Sequence, residues 1–125
     1  MSSTAVDEAN PLTRILRAAD TDVDAFFDLF TEDALFRLGN NQLLRGIDEI
    51  KAWVGEYLGS VASIAHDIRE QWTVGDTSIV RLDVTYGMAN GAGFTLPAAV
   101  YGKSRDGKIA EYLIFMDPSP VVEAS

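Results

Sequence analysis

Arg81 and Asp83 are the pair of residues in this 125-residue chain whose types and spacing most directly indicate chemistry. One residue separates them in a run of alternating apolar and polar side chains, a pattern that predicts a β-strand with both side chains on one face. If that face lines a cavity, the aspartate is a candidate proton carrier and the arginine its charged partner. The structural alternative is an ion pair that closes the cavity.

His66 is the one histidine of the chain and falls early in another predicted strand, on the face expected to hold Ile68, Glu70 and Trp72. An imidazole beside a carboxylate can serve as general acid or base. We therefore count His66 among the candidate catalytic residues, above all if it lies within hydrogen-bond reach of Asp83. The alternative is a structural histidine at a sheet end or a dimer seam.

The remaining composition narrows the class of function. The chain has no cysteine, which excludes thiolate nucleophiles and zinc–sulfur sites, and one histidine excludes metal sites that need two imidazoles. Ten basic and 19 acidic residues give a net charge of −9, which opposes binding to nucleic acid or to an anionic membrane. We expect a cytoplasmic protein without a metal.

These residues must be positioned by an α+β domain. Asn10-Pro11 predicts the start of a first helix, Val23–Phe30 a second helix, and the segment from Ile47 a third. After residue 63 the hydrophobic period changes from helical to alternating. We predict a short strand at 34–38, then strands at 63–73, 77–89, 93–104 and 108–117. The expected organisation is a tail at 1–9, one domain at 10–121 and a tail at 122–125.

The predicted strand 77–89 has two distinct faces. One carries Val80, Leu82, Val84 and Tyr86, and the other carries Ile79, Arg81, Asp83 and Thr85. If the aliphatic row faces outward, a second copy of the chain is expected to cover it, because a large exposed apolar patch is unusual in a monomer. This predicts a homodimer formed through the outer face of the sheet.

Two acidic segments are assigned to surface roles. The stretch Asp20–Asp28 lacks the ligand order and the glycine of a calcium-binding loop, and we interpret it as solvated helix surface. Asp117 precedes Pro118, and a segment of this composition is typical of a turn that ends the chain.

Four segments carry a resemblance to a known family: residues 24–34 (DAFFDLFTEDA), 45–50 (RGIDEI), 106–112 (DGKIAEY) and 115–120 (FMDPSP). Together with the order of elements, they resemble the nuclear-transport-factor-2-like (NTF2-like) superfamily and its SnoaL-like polyketide cyclase branch, over roughly Leu12 to Val121. The resemblance implies a cone of three N-terminal helices packed on a curved, mainly antiparallel sheet, with its mouth opening on a mostly apolar pocket.

The Arg81-Leu82-Asp83 spacing is similar to the arginine–aspartate pair of the limonene-epoxide-hydrolase branch. In that branch a second aspartate activates the water, and its matching position here is Ile114. The tyrosine and the asparagine that hold the water match Phe36 and Leu38. Half of that machinery is therefore missing.

Ketosteroid isomerase activity is rejected on the same kind of comparison. The family's aspartate base matches Leu38, its oxyanion-hole tyrosine matches Arg14, and its neutral carboxylic acid matches Ala99. All three polar groups that define the family mechanism are absent.

The resemblance implies a small cofactor-independent enzyme that transfers protons in isomerase, cyclase or dehydratase chemistry on an apolar carbonyl- or hydroxyl-bearing metabolite. Catalysis is assigned to Asp83, Arg81 and His66. The expected ligand-binding residues are Phe36, Trp53, Tyr57, Ala99, Tyr112, Ile114 and Met116. The alternatives are a non-catalytic module of the same fold that binds a small molecule or dimerises, and an epoxide hydrolase-like enzyme.

Overall fold

Three helices precede most of a six-stranded sheet in the computed structural model, which describes residues 5–125. The helices are α1 (Pro11–Thr21), α2 (Val23–Asp28), α3 (Ile47–Tyr57) and α4 (Ser119–Ala124), with a 3₁₀ turn at Leu58–Ser60. The strands are β1 (Phe30–Leu38), β2 (Leu44–Arg45), β3 (Val61–Val74), β4 (Thr77–Met88), β5 (Gly93–Arg105) and β6 (Lys108–Phe115). Within the described residues, no helix is long and apolar enough to cross a membrane.

The sheet has the order β2-β1-β6-β5-β4-β3, and every neighbouring pair is antiparallel except β1 and β6. One face packs on the helices and forms the core. The predicted α+β class, with helices on a curved, mainly antiparallel sheet, is confirmed.

The first helix begins where the sequence predicts. The Asn10 side chain accepts a hydrogen bond from the Leu12 N–H at 2.9 Å, and Pro11 occupies the first turn. These residues satisfy or remove amide groups that would otherwise lack a partner at the helix start. Ile15 and Leu16, which share the inward face with Leu12, are fully buried.

The second helix is shorter than predicted. It ends at Asp28, and β1 already begins at Phe30, so the expectation of a helix to Phe30 and a strand from residue 34 is wrong. Phe26 and Phe30 are nevertheless both buried, with ring centroids 5.2 Å apart in edge-to-face contact. The helical spacing of Phe26 and Phe30 correctly indicated that both side chains are buried in one core. It did not require a helix, because a strand that enters the same core buries Phe30 equally well.

The C-terminal boundary is also corrected. Residues 122–124 belong to α4 rather than to a tail, and Val121 is completely buried. Just before this helix, the Asp117 carboxylate accepts hydrogen bonds from the N–H and the hydroxyl of Ser119. At the other end of the helix, the Asn90 side chain donates to the Ala124 carbonyl at 3.2 Å.

The predicted N-terminal tail lies partly outside the described residues, because residues 1–4 are not among them. Residues 5–9 contact the domain. The Asp7 N–H donates to the Gln71 side chain of β3 at 2.9 Å, and Glu8 forms an ion pair with Arg17 of α1 at 3.1 Å.

The aliphatic row of β4 faces the helices. Val80, Leu82, Val84 and Tyr86 are all at most 3% exposed. The reason given for a homodimer, an outward-facing aliphatic row, is therefore wrong. The outer face instead carries an apolar row, which we call the outer row, with one residue from each of β3 to β6 in register: Trp72, Ile79, Tyr101 and Leu113.

A β-bulge in β3 changes which residues share a face with His66. Ile68 pairs with Leu82, but Glu70 pairs with Arg81, so one extra residue lies between these pairs. A bulge of this kind reverses the alternation of side chains beyond it. Ile68 consequently stays on the inner face with His66, whereas Glu70 and Trp72 lie on the outer face, contrary to the sequence-based expectation.

Candidate active site

A cavity of about 100 Å³ lies between the inner face of the sheet and the helices. Two stacked aromatic pairs form part of its wall: Phe36 with Tyr112, whose ring centroids are 5.5 Å apart, and Trp53 with Tyr57, at 5.2 Å. Of the seven residues predicted to bind a ligand, these four and Ile114 and Met116 line the cavity. Their contact with a ligand stays a prediction.

Ala99 is the exception. It pairs with Arg81 of β4 and with Phe115 of β6, and its neighbours Ala98 and Val100 on either side are both buried. Because side chains alternate along a strand, Ala99 lies on the outer face and cannot line the cavity.

The expected placement of Arg81 and Asp83 in the cavity is wrong. The Arg81 guanidinium contacts the Glu70 carboxylate at 2.6 Å, and the Asp83 carboxylate contacts Arg69 at 3.1 Å. The side chains of Arg81 and Asp83 are 55% and 31% exposed. They lie on the outer face because Leu82, between them, is buried against the cavity. They also pair with β3 rather than with each other, so the alternative of an ion pair closing the cavity fails as well.

His66 lines the cavity, and its partner is Asp20 rather than Asp83. The imidazole Nδ1 lies 2.6 Å from Asp20 Oδ1, and the His66 backbone N–H donates to both carboxylate oxygens, at 3.0 and 3.2 Å. The His66 and Asp20 side chains are 10% and 22% exposed. Three contacts between two residues fix the orientation of the imidazole at the cavity wall.

The contact with Asp20 also determines which nitrogen of His66 is free to react. A carboxylate accepts a hydrogen bond, so Nδ1 carries the proton and Nε2 carries the lone pair of the neutral ring. Among residues 5–125, no group forms a hydrogen bond with Nε2. The arrangement can therefore remove a proton from a molecule in the cavity, and Asp20 can stabilise the imidazolium that forms.

Asp20 is the site residue that sequence reasoning missed, because it was assigned with its acidic neighbours to solvated surface. It lies in the last turn of α1, seven residues after the fully buried Thr13. Seven residues correspond to about two helical turns, so both side chains share one face. The helical spacing from Thr13 and Leu16 was the available signal that Asp20 faces inward.

Three tyrosine hydroxyls border the same cavity. The hydroxyls of Tyr57 and Tyr86 lie 3.1 Å apart. Burial raises the pKa of Tyr57 and of Tyr86 above the usual range. Burial also raises the pKa of Tyr112, and the negative charge of Asp20 raises it further. All three side chains therefore remain neutral hydrogen-bond donors at physiological pH.

A surface depression next to Asp20 marks where the cavity comes near solvent. Ala19, Val23, Leu58 and Ile64 line both the depression and the cavity. These four side chains separate the two spaces beside the Asp20–His66 pair.

In the part of the chain that the structure describes, no cluster of three or more histidine, aspartate or glutamate side chains could hold a metal ion.

The fold is similar to those of solved NTF2-like structures. The chain is 28% identical to an NTF2-like protein of unknown function from Exiguobacterium sp. 255-15, with a TM-score of 0.71, covering 86% of this chain and 98% of that one. It is 17% identical to a candidate SnoaL-like polyketide cyclase from Jannaschia sp. CCS1 (TM-score 0.78, coverage 99% and 96%). It is 14% identical to a limonene-epoxide-hydrolase-like (LEH-like) epoxide hydrolase from M. tuberculosis (TM-score 0.77, coverage 94% and 88%).

Sequence comparison gives the family. Residues 14–112 match the family model of the SnoaL-like domain, and the chain belongs to that family. The resemblance inferred from the four sequence segments is thereby confirmed. No curated protein shows a significant match to the chain.

Proposed function

We propose that the protein is a small enzyme that transfers a proton on an apolar metabolite held in the cavity, with His66 as the general base. Asp20 is the positioning residue. The observation that carries the proposal is the 2.6 Å contact between Asp20 and His66 at the wall of a mostly apolar cavity. A hydrogen bond in such surroundings is stronger than in water, and few other polar groups compete for the imidazole.

The reaction step follows from the tautomer that Asp20 selects. The Nε2 lone pair takes a proton from a carbon next to an electron-withdrawing group, and the electron pair of the C–H bond passes into that group. The imidazolium then returns the proton to the same carbon or to another atom of the substrate. Isomerisation, dehydration and cyclisation all begin with this abstraction, and the proposal covers the shared step.

Epoxide hydrolysis is not proposed for this chain. The M. tuberculosis neighbour is an LEH-like epoxide hydrolase, but its likeness to this chain concerns the fold at 14% identity. Here the Arg81 and Asp83 side chains lie on the outer face of the sheet. The positions that match the other epoxide hydrolase residues are the apolar Phe36, Leu38 and Ile114.

The proposal is tested with cyclopentanone in D₂O, by measuring exchange of its α-hydrogens for deuterium with nuclear magnetic resonance. This assay detects proton abstraction without knowledge of the physiological substrate. Wild-type protein is expected to accelerate exchange, and His66→Gln to lower the protein-dependent rate by about 10²- to 10⁴-fold. Unchanged exchange in His66→Gln would contradict the role of His66.

A non-catalytic module that binds a small molecule is the second candidate function. It is favoured by the apolar residues at Phe36, Leu38 and Ile114, where related mechanisms place polar groups. The same experiment separates the two candidates, because a binding module would take up cyclopentanone without accelerating exchange.

We also propose that the protein acts in the cytoplasm. A separate proposal is that a second copy of the chain covers the outer row. Ile79 of this row is 44% exposed, and the nearby Phe115 is 62% exposed. Apolar surface spread over four adjacent strands, with charged residues beside it, is typical of a contact between copies related by a twofold axis.

A further inference from the structure

The Tyr112 hydroxyl has no hydrogen-bond partner among residues 5–125, although the residue is 2% exposed. Tyr112 is part of the cavity wall. Within the described residues, the fully buried side-chain polar atom that lacks a partner is Gln71 Nε2, so the Tyr112 hydroxyl is not sealed inside the protein and keeps contact with the cavity space. The position is therefore one where a ligand oxygen would satisfy a donor that the protein itself leaves unpaired.

The Tyr57–Tyr86 pair provides a second donor. A hydrogen bond between two hydroxyls uses the proton of one and leaves the proton of the other free. Both side chains line the cavity, so the remaining O–H is available to a molecule inside it. Accepting a hydrogen bond also polarises a hydroxyl and makes it a better donor.

The three tyrosines and His66 surround the same cavity, and the hydroxyls of Tyr57 and Tyr86 lie 3.1 Å apart. Burial is the largest cause of the raised pKa of Tyr86, followed by the negative charge of an ionised Tyr57, the hydrogen bond with Tyr57 and the negative charge of an ionised Tyr112. The charge of Asp20 acts in the same way on Tyr112. The geometric observation is that the three tyrosines and His66 line one cavity of about 100 Å³, so the donors and the base belong to residues around one small space.

The cavity also restricts the charge and the size of its ligand. None of its described lining residues is lysine or arginine, so an anionic group would lose its hydration without gaining a counter-charge. Its volume of about 100 Å³ is small. An apolar protein cavity of roughly 150 Å³ admits benzene, which sets the scale of molecule that fits.

We propose that Tyr112 and the Tyr57–Tyr86 pair form a subsite that binds the carbonyl oxygen of a small, uncharged carbonyl compound, with the neighbouring C–H facing His66. This assignment rests on the proposed function and names its substrate class. When Nε2 takes the α-proton, the C–H electron pair forms the carbon–carbon double bond and the carbonyl electron pair moves to oxygen. The tyrosine O–H groups stabilise the enolate oxygen by hydrogen bonding and keep their own protons.

The test compares cyclopentanone with methylenecyclopentane, which has the same shape but carries CH₂ in place of the carbonyl oxygen. Affinities are measured by titration of amide resonances in wild-type protein, in Tyr112→Phe and in the control Tyr101→Phe. Tyr101 lies on the outer face, away from the cavity. Wild type is expected to prefer the ketone, and Tyr112→Phe to bind it about twofold to tenfold more weakly with unchanged affinity for the hydrocarbon.

Two further measurements distinguish the subsite from a merely structural role. Tyr112→Phe is expected to be no less stable than wild type, because the deleted hydroxyl has no partner. The infrared carbonyl stretch of bound cyclopentanone should lie at lower frequency in wild type than in Tyr112→Phe. Tyr57→Phe removes one hydroxyl of the pair and provides an independent variant with the same expected loss of ketone preference.

Equal affinity of wild type for the two ligands, or a ketone preference that persists in both tyrosine variants, would overturn the subsite. The deuterium-exchange assay tests the proposed enzyme independently of the subsite. Tyrosine-dependent ketone binding without exchange supports the subsite and contradicts the proposed enzyme. Exchange that depends on His66 while ignoring Tyr112 and Tyr57 supports the enzyme and contradicts the subsite.

Discussion

The two faces of β4 show how differently polar residues behave on the two sides of one strand. Leu82 is 1% exposed and lines the cavity, whereas the adjacent Asp83 contacts Arg69 on the outer face. The outer face holds several charges, and water screens their ion pairs, which typically contribute little stability. Where the inner face lines the cavity, it holds one imidazole among apolar and aromatic side chains. The comparison teaches that the imidazole on the buried face, held by Asp20, marks the chemistry, and that the exposed ion pairs of the outer face do not.

The largest expected effect comes from one substitution made on each face. Leu82→Asn removes buried aliphatic surface and buries an amide, and we expect it to lower the free energy of unfolding by about 3 kcal/mol or more. Asp83→Asn removes one charge from an exposed pair and should cost about 1 kcal/mol or less. Urea denaturation measures both, and similar losses would contradict the assignment of the two faces.

An effect of intermediate size is expected at alkaline pH. The raised pKa values of Tyr86 and Tyr112 keep both side chains protonated in the folded state, while the unfolded chain ionises near its ordinary value. Their contribution is therefore complete below about pH 10 and is lost as the pH rises further, at up to about 1.4 kcal/mol per pH unit for each residue. Denaturation at increasing pH checks this.

The alkaline loss should be smaller in Tyr86→Phe and in Tyr112→Phe, since phenylalanine does not ionise. Tyr101→Phe, on the outer face, provides the control. The prediction fails if the inner-face variants lose stability with pH as steeply as wild type does.

The smallest effect on folding is expected in the outer row. Ile79→Glu places a charge on a residue that is 44% exposed, so the stability of the monomer should change little. If a second copy covers this row, the substitution buries a charge between the copies and should shift the mass in sedimentation analysis from dimer to monomer. A wild-type protein that sediments as a monomer would refute the dimer.

Turn chemistry explains why the strand layout was predictable from the sequence. Asn90-Gly91 and Asp106-Gly107 are hairpin signals, and Gly91, Asp106 and Gly107 adopt positive φ angles of 90°, 54° and 79°. These preferences belong to the residues themselves and act over a few positions. The same holds for the Asn10-Pro11 start of α1.

The orientation of β4 was not predictable in the same way. Alternation divides its residues into two sets, but the packing of the helices decides which set faces inward, and that packing involves distant parts of the chain. In β3, one extra residue between Ile68 and Glu70 reverses the faces beyond it. Nothing in the local pattern distinguishes a bulge from continued alternation.

The candidate site was predictable only in part. His66 and most of the lining aromatics were found by residue type and by family resemblance, whereas Asp20 contacts His66 across 46 positions. A contact of that separation depends on the complete fold. The helical spacing from Thr13 indicated that Asp20 faces inward, but not which strand it would meet.

The central claim is that the Asp20–His66 pair on the inner face, and not Asp83 on the outer face, supports proton transfer. It is tested most directly by the rate of cyclopentanone deuterium exchange in Asp20→Asn and in Asp83→Asn, measured side by side with wild type. Loss of the carboxylate that holds the imidazole in its reactive tautomer should lower the rate by about 10²-fold or more. Asp83→Asn should exchange at the wild-type rate, and the opposite ranking of the two variants would contradict the account.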